Sequence, residues 1–254
     1  MRERVGPVAF TVTPLNSAID MLLDDSQALL NNQRERGYAV HFCNAYSVAI
    51  ASRDENYRKV LGASQTVFSD GVPITWVGRR LRPDLRDSWE RVYGPDVMTG
   101  VLEKSTPENA RHFLLGATPD VLSSLEERIR ECFPAAYVVG AESPPFRPLT
   151  ADEKTSQDAR IAASGATMVW VGLGTPIQDF EAARLAERLP VIALGVGAAF
   201  DFLAGTTRQA PKWMQRSGTE WLFRLGTEPR RLAKRYLWGN SVFALEAIKT
   251  LRNS

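Results

Sequence analysis

Cysteine and histidine are scarce in this chain, which has only two of each among 254 residues. A disulfide framework needs more cysteines in a smaller chain, so a reduced, cytosolic setting is favoured. Cys43, late in a predicted strand, and Cys132, late in a predicted helix, are both expected in apolar settings. His41 and His112 fall in separate predicted strands and are expected to be core or edge residues. No group of His, Cys and acidic residues has metal-ligand spacing, so a metal centre is not expected.

Long apolar runs are equally absent. No window approaches the roughly 18 consecutive apolar residues of a membrane-spanning helix, and the opening Met-Arg-Glu-Arg-Val leads into no secretory signal. Hydrophobic residues make up 44% of the chain and charged residues 24%, which is typical of globular proteins with a large core. Any contact with a membrane is therefore expected to be peripheral.

Charge is unevenly distributed, although the net charge is only +2. Residues 213–254 contain eight Arg or Lys against three Glu, together with three of the six tryptophans, Trp213, Trp221 and Trp238. A basic tail of this kind indicates an anionic partner, and a solvated basic helix face is the alternative. Nucleic acid is a poorer match, because the aromatic residues alternate with leucines as on a helical packing face.

Short β-branched or aromatic runs alternate with longer helical patterns. This predicts an α/β fold with a Rossmann-like, mostly parallel sheet and helices on both faces. Strands are predicted at 8–12, 38–43, 66–69, 112–116, 136–140, 167–172 and 191–195. Helices are predicted at 17–34, 73–82, 119–132, 151–164, 176–187, 211–225, 229–237 and 241–251. We expect a core over residues 1–207 and a basic, aromatic-rich helical appendage over 208–254.

Local signals mark several helix starts. Ser17, with Asp20 three positions later, resembles a capping box. Pro119 and Pro176 suit the first turn of a helix, where a missing N–H costs nothing.

Polar residues follow two of the predicted strands. Asp70 precedes Gly71, which permits close approach of the backbone. Sites in parallel sheets gather beyond the carboxyl ends of the strands, where a carboxylate can act as a general base. The alternative for Asp70 is a turn residue or the N-cap of the helix at Pro73. Asn44 also has two interpretations. One is a contact for a sugar or nucleotide, and the other is an Asx-turn or helix cap.

Two glycine-containing turns connect predicted strands to helices. One contains Gly116, and the other contains Gly172 and Gly174. Backbone N–H groups and the helix dipole favour a phosphate at such turns, which are common in parallel α/β folds. Neither turn has the third glycine of a dinucleotide fingerprint, and the chain has no Gly-Lys-Ser/Thr phosphate loop.

The order of several motifs resembles that of the WecG/TagA/CpsF glycosyltransferases, also called family 26. The matching blocks are Asn44-Ala-Tyr-Ser-Val, Ser69-Asp70-Gly71-Val72, Glu90-Arg91-Val92-Tyr93-Gly94-Pro95-Asp96, Val171-Gly172-Leu173-Gly174-Thr175-Pro176-Ile177-Gln178-Asp179, Gly197-Ala-Ala-Phe-Asp201-Phe-Leu-Ala-Gly205 and Glu220-Trp-Leu-Phe-Arg224-Leu-Gly-Thr-Glu-Pro229-Arg230-Arg231. The resemblance implies transfer of a sugar from a UDP-sugar to a saccharide on undecaprenyl diphosphate, with inversion at the anomeric carbon.

The resemblance also implies roles for single residues. Asp70 stands where the family carries its proposed base, and Gln178 is retained from the family's Pro-Lys-Gln-Glu segment. Arg91 is expected to hold a diphosphate, or alternatively to pair with Asp96.

The tail has two expected uses. Arg224 and Arg231 belong to an appendage that the resemblance places over the active site, where cations would neutralise the leaving diphosphate. Its other basic and aromatic residues would hold the enzyme on anionic lipid, at the cytoplasmic face of the plasma membrane. The Asp-x-Asp motif of metal-dependent transferases is absent, so metal-independent transfer without a cofactor is predicted. A homo-oligomer is left open.

The chain departs from the family pattern at two places. Ser143-Pro-Pro-Phe-Arg147-Pro replaces the usual His-Gly-Tyr-Phe segment, and Phe42 replaces a small polar residue. We expect the rigid proline-rich loop to influence the choice of donor or acceptor, with Arg147 facing the site. This departure from the teichoic-acid pattern favours an exopolysaccharide or capsule pathway.

Two alternatives belong to other functional classes. A Rossmann-type enzyme with a dinucleotide or methyl donor would explain the glycine turns, but it leaves the block from Glu220 to Arg231 unexplained. A non-catalytic nucleotide-sugar-binding partner of a polysaccharide assembly would explain both the tail and the fold.

Overall fold

The computed structural model describes residues 1–252, apart from the side chain of Arg231. Its strands are β1 (Arg2–Val5), β2 (Val8–Thr11), β3 (Tyr38–Cys43), β4 (Thr66–Ser69), β5 (Arg111–Gly116), β6 (Tyr137–Glu142), β7 (Met168–Gly172) and β8 (Ile192–Gly195). Its α-helices are α1 (Leu15–Leu30), α2 (Ala45–Arg53), α3 (Glu55–Ala63), α4 (Val72–Leu81), α5 (Gly94–Lys104), α6 (Pro119–Cys132), α7 (Ala151–Ser164), α8 (Ile177–Arg188), α9 (Ala199–Leu203), α10 (Lys212–Arg216), α11 (Glu220–Thr227) and α12 (Pro229–Arg252).

Six strands form one sheet in the order β4-β3-β8-β7-β5-β6, with helices around it. Neighbouring strands from β3 to β6 run parallel, with Val40 opposite Leu194, Leu194 opposite Trp170 and Trp170 opposite Leu114. These four side chains are fully buried, as in a parallel sheet covered by other elements. The predicted α/β class is confirmed. The predicted strand at 8–12 also forms, but it pairs with β1 in a separate antiparallel hairpin.

Local capping explains why two helices have the bounds predicted for them. The hydroxyl of Thr118 accepts a hydrogen bond from the backbone N–H of Val121 at 3.3 Å and opens α6. Thr150 and Glu153 form a reciprocal capping box that opens α7. Gly165 closes α7 with φ 69°, in the left-handed region. A good N-cap stabilises a helix by about 1 kcal/mol.

Other helix ends depend on contacts that are distant in sequence. The predicted capping box at Ser17 is wrong, because α1 already begins at Leu15. The backbone N–H of Leu15 donates to the carboxylate of Glu90 at 2.9 Å, so a distant side chain satisfies this amide at the helix start. Pro176 is the N-cap of α8 and therefore precedes its first turn.

The C-terminal helices differ from the prediction in number. The helix predicted over 211–225 divides into α10 and α11, with Gly218 at φ 74° in the connecting turn. The two helices predicted after Pro229 form one, α12. Its Gly239 lies against Tyr46, where an added Cβ would be 3.0 Å from the ring. The helix therefore continues through residues 238–240, where a break was predicted, and its glycine allows close packing there.

The chain divides into two compact units. Unit 1 comprises Met1–Leu15, Phe42–Tyr93 and Arg208–Ser254, and unit 2 comprises Asn16–His41 and Gly94–Thr207. The buried core of unit 1 includes Phe10, Val48, Tyr57, Ile74, Trp89 and Phe243. The buried core of unit 2 includes Leu115, Ile161, Val169, Val171 and Leu185. The division into a core over 1–207 and an appendage over 208–254 stays a prediction.

Candidate active site

A cleft of about 100 Å³ lies in unit 1, beyond the carboxyl ends of β3 and β4. Four of the predicted site residues line it, namely Asn44, Asp70, Arg91 and Arg224. Its other lining residues include Tyr46, Tyr93, Gln215, Glu220, Trp221, Tyr236 and Asn240. The fold thus brings together polar residues that are far apart in the sequence.

Asp70 is held at the edge of the sheet by its backbone. Its N–H donates to the carbonyl oxygen of Cys43 at 3.0 Å. The interpretation of Asp70 as the N-cap of α4 is wrong, because Gly71 occupies that position without a side-chain hydrogen bond. A Cβ on Gly71 would lie 3.4 Å from the Cβ of Asn44, so the two strand ends approach closely here. The half-buried Asp70 side chain is therefore presented to the cleft from a well-defined backbone.

Asn44 acts as a helix cap as well as a lining residue. Its Oδ1 accepts hydrogen bonds from the backbone N–H groups of Tyr46 at 3.0 Å and Ser47 at 3.3 Å. Ser47 completes a capping box at the start of α2. The structure therefore shows the side-chain oxygen of Asn44 in the role of a helix cap. Contact of Asn44 with a sugar or nucleotide stays a prediction.

Arg91 makes three polar contacts in the cleft. Its Nε donates to the backbone oxygen of Asp70 at 2.7 Å, and its Nη2 forms an ion pair with Glu220 at 2.5 Å. Its Nη1 approaches the backbone oxygen of Gln215 at 3.5 Å. The guanidinium also lies over the ring of Tyr93, 3.7 Å from the centroid. The structure therefore pairs Arg91 with Glu220, a partner that was not predicted. The predicted pair with Asp96 and the predicted contact with a diphosphate both stay predictions.

Glu220 is not among the predicted site residues, although it opens the block that ends at Arg231. One of its oxygens binds Arg91, and the other accepts a hydrogen bond from the Tyr93 hydroxyl at 2.7 Å. Burial, with the carboxylates of Glu220 and Asp70, raises the pKa of Tyr93 far above its ordinary value, so the phenol stays protonated. Burial opposes the charge of Arg91, but the same carboxylates outweigh it and raise the pKa of the guanidinium.

The C-terminal helices contact the Asn44 segment within unit 1. Tyr46 lies between Arg235, whose guanidinium is 4.2 Å from the ring centroid, and Trp238, whose ring is edge-on at 6.0 Å. Trp221 of α11 makes a similar edge contact with Tyr236 of α12 at 6.0 Å. Arg224, in the same helix as Trp221, lines the cleft. The side chain of Arg231 lies outside the described residues, so its role stays a prediction.

The remaining predicted site residues lie in unit 2. Gly116 and Gly172 face each other at the ends of β5 and β7, and a Cβ on Gly116 would lie 2.6 Å from the Gly172 backbone. Gln178 is buried, with its Nε2 donating to the oxygen of Gly195 at 2.6 Å. Its Oε1 accepts from the N–H of Gly174 at 3.0 Å. Gln178 therefore holds the shape of the glycine turn, and its contact with a ligand stays a prediction.

A larger cavity of about 580 Å³ lies in unit 2 beyond β5 and β7. The proline-rich segment supplies much of its wall, together with Leu173, Ile177 and Phe180. Phe146 is 91% exposed, so this wall presents an apolar ring to solvent. Arg147 also lines the cavity, but its guanidinium forms a two-point ion pair with Glu153 at 2.6 and 2.7 Å.

Histidine and cysteine contribute no metal centre to the described part of the chain. No three His, Cys, Asp or Glu side chains within residues 1–252 come together as metal ligands would. Both histidines are fully buried, as predicted, and His41 bonds Asp179 through Nδ1 at 2.9 Å. Cys43 is buried, but the apolar setting predicted for Cys132 is wrong, because that side chain is exposed at the end of α6.

A comparison with protein-family models gives one match over nearly the whole length. The family described as "Glycosyl transferase WecG/TagA/CpsF family" matches residues 8–254. The match includes the cleft of unit 1, both glycine turns of unit 2 and the C-terminal helices.

Proposed function

Because the chain belongs to the WecG/TagA/CpsF family of glycosyltransferases, we propose that it transfers a sugar from a UDP-sugar to a saccharide linked to undecaprenyl diphosphate. The donor would be a UDP-hexose or a UDP-N-acetylhexosamine such as UDP-N-acetylmannosamine. The product would enter a cell-surface polysaccharide, with an exopolysaccharide or capsule favoured over teichoic acid by the altered proline-rich loop.

The observation that carries this proposal is the Asp70 carboxylate in the cleft of unit 1. Asp70 takes the proton from the attacking hydroxyl of the acceptor. The acceptor oxygen then forms a bond to the anomeric carbon as the bond to the UDP oxygen breaks, and the electron pair leaves with UDP. Attack opposite the leaving group inverts the configuration. Asn44 beside the base is suited to orient a sugar hydroxyl.

Stabilisation of the departing diphosphate falls to cations and backbone amides of the protein. Arg224 lines the same cleft as Asp70 and supplies a positive charge there. Arg231, the third residue of α12, is proposed as a second cation. No metal ion or other cofactor takes part in this proposal.

In unit 2, the glycine turns at Gly116, Gly172 and Gly174 and the cavity beside them are proposed to bind a nucleotide. The glycine turns lie at strand ends, where ligands of parallel sheets bind. Apart from Arg147, the cavity wall from Pro144 to Leu149 is apolar and contains three prolines, which suits it to receive one face of a flat base. The same wall would limit which donors fit.

Membrane attachment is proposed for the outer face of α12. None of the described helices has the length and apolar composition to cross a membrane. The face is defined by exposed residues at helical spacing, namely Lys234, Leu237, Trp238, Ser241, Leu245, Ile248 and Arg252. Leu237 is 73% exposed, and Leu245 and Ile248 are more than half exposed. Apolar residues flanked by cations are typical of helices that lie on anionic lipid.

A donor panel tests the proposed function. The full chain is incubated with UDP-sugars and a short-chain prenyl diphosphate sugar, with and without EDTA. We expect product from one UDP-sugar at an undiminished rate in EDTA. Loss of activity in EDTA with rescue by Mg²⁺ or Mn²⁺ would reject the metal-independent mechanism. No product from any donor, with UDP still bound, would favour a non-catalytic binding partner, and preferential binding of NAD or S-adenosylmethionine would favour another Rossmann-type enzyme.

A further inference from the structure

The carboxylate of Glu220 accepts hydrogen bonds from two donors, the partly buried Arg91 and the buried Tyr93. Its Oε2 lies 2.5 Å from Nη2 of Arg91, and its Oε1 lies 2.7 Å from the hydroxyl of Tyr93. The side chains of Arg91 and Glu220 are 18% and 13% exposed, so water screens this pair only weakly. Glu220 is also the first residue of α11, so the pair attaches this helix to the cleft.

Arg91 extends the connection to the Asp70 backbone. The Nε of the same guanidinium donates to the Asp70 carbonyl oxygen at 2.7 Å. The guanidinium lies over the Tyr93 ring, 3.7 Å from its centroid, which limits its movement. A single rigid group therefore joins the C-terminal segment at Glu220 to the loop that carries the proposed base.

We infer that Glu220 is a positioning residue for the transfer reaction, holding Arg91 against the Asp70 loop and balancing the Arg91 charge beside the Asp70 carboxylate. The inference rests on the proposed function, in which Asp70 is the base. It gives the C-terminal segment a role inside the cleft that is separate from neutralising the leaving diphosphate. Docking of α11 would complete the surroundings in which Asp70 can accept a proton.

The charges around Asp70 determine what each substitution should do. The charged and titratable groups that line the cleft with it are Arg91, Tyr93, Glu220, Arg224, Tyr236 and Tyr46. Without the Glu220 charge, the Arg91 cation is uncompensated and favours the ionised form of Asp70, so Asp70 becomes a weaker base. Without the Arg91 charge, the Glu220 anion favours protonated Asp70. The two substitutions should therefore move the Asp70 titration in opposite directions.

The experiment measures kcat/KM against pH for Glu220→Gln and Arg91→Gln in the full chain, with a short-chain acceptor that needs no membrane. We expect the acidic limb of the profile to move to lower pH in Glu220→Gln and to higher pH in Arg91→Gln, each by about half a pH unit or more. Near neutral pH, kcat should fall about tenfold or more in both, with KM for the donor changed less than kcat.

Conservative and matched variants separate charge from geometry. Arg91→Lys keeps the charge but cannot form the same fork, so its acidic limb should stay in place while kcat falls. Glu220→Asp should recover part of the activity that Glu220→Gln loses. Glu246→Gln removes a carboxylate of similar burial from the ion pair with the exposed Lys249 in α12, and it should leave both kcat and the profile unchanged.

The possible results separate this inference from the proposed function. Profiles that do not move, or that move in the same direction, in folded variants would overturn the role of Glu220. If Glu220→Gln does not fold, the role of the ion pair is decided by comparing Arg91→Gln with Arg91→Lys. An acidic limb that moves in Arg91→Gln and stays in place in Arg91→Lys supports it, and equal profiles overturn it. An Asp70→Asn enzyme with full activity would overturn the proposed function itself. An inactive Asp70→Asn enzyme beside unmoved Glu220 and Arg91 profiles would overturn only this inference.

Discussion

The backbone N–H of Asp70 and the carbonyl oxygen of Cys43 form a 3.0 Å hydrogen bond where β4 and β3 end. The bond joins the residue after β4 to the last residue of β3. It therefore places Asp70 beside Asn44, the residue after Cys43. A side chain on such a rigid edge keeps its position without help from a ligand. This relationship makes Asp70 the most direct target for mutagenesis.

Asp70→Asn should lower kcat by at least about a hundredfold while the affinity for UDP changes little, because the amide cannot take up the acceptor proton. Initial rates and titration with UDP measure the two quantities separately. Asp20→Asn is the control, since Asp20 is exposed and pairs with Lys104 in unit 2. A rate equal to wild type in Asp70→Asn would remove Asp70 from the role of base.

Replacing Leu237 and Leu245 together by Ser should weaken binding to anionic vesicles at least about tenfold, because two exposed apolar side chains of α12 are lost. Cosedimentation with vesicles of increasing anionic lipid content measures this, and binding of the wild type should also fall as salt rises. Tyr137→Ser, at a half-exposed position on β6, is the control. Undiminished binding of the double variant would place the membrane contact elsewhere.

Deleting the tail is a poorer test of membrane contact. Phe243 and Ala247 on the inner face of α12 belong to the buried core of unit 1, and Leu232 and Val242 are buried as well. Removing residues 208–254 would expose this core, so a loss of activity would report unfolding as readily as detachment. Substitutions on the outer face avoid this ambiguity.

Gly78→Ala should destabilise the protein by about 1–3 kcal/mol, because the added methyl would meet the buried ring of Trp89. A Cβ at Gly78 would lie 2.4 Å from two atoms of that ring. Gly62→Ala is the matched control, since Gly62 is also helical and nothing lies within 4 Å of an added Cβ. It should be neutral or stabilising by up to about 1 kcal/mol. Urea unfolding of both variants measures the difference, and equal midpoints would contradict the packing at Gly78.

His112 should make the protein less stable in mild acid. Burial lowers the pKa of His112 from 6.5 to about 4, because the fully buried imidazole is held neutral. The indole of Trp170 donates to its Nδ1 at 3.1 Å, which leaves Nε2 to donate to Ser105 at 2.9 Å. The stability that neutral His112 contributes is fully present above its pKa in the unfolded chain, 6.5, and is lost as the pH falls towards 4. This loss in the free energy of unfolding amounts to at most about 3 kcal/mol.

The free energy of unfolding of His112→Asn, measured between pH 7 and 4, isolates this contribution. The variant should be less stable than wild type at pH 7, but its stability should fall less steeply with acid, since it has no imidazole to protonate. Parallel curves for the two proteins would show that His112 does not titrate in this range.

Local patterns were sufficient for much of the fold. Thr118 before Pro119 and Thr150 before Glu153 are capping signals that need no distant partner, and α6 and α7 have the bounds predicted from the helical pattern. Short helices such as α2, α3 and α9 were not predicted, because their periodicity is too brief to stand out from loops. The place of Asp70 in the lining of the cleft was predictable because it follows a buried strand, and strand ends of parallel sheets gather sites.

The sequence by itself determined the alternation of strands and helices, the α/β class and the basic character of the tail, because periodicity and charge are local properties. Tertiary structure alone decided that Glu90 meets the amide at the start of α1, that α12 passes Tyr46 unbroken at Gly239, and that Glu220 pairs with Arg91. Each of these contacts joins segments that are far apart in the sequence. Such contacts arise only when packing brings the segments together, and no local pattern records which partner will be there.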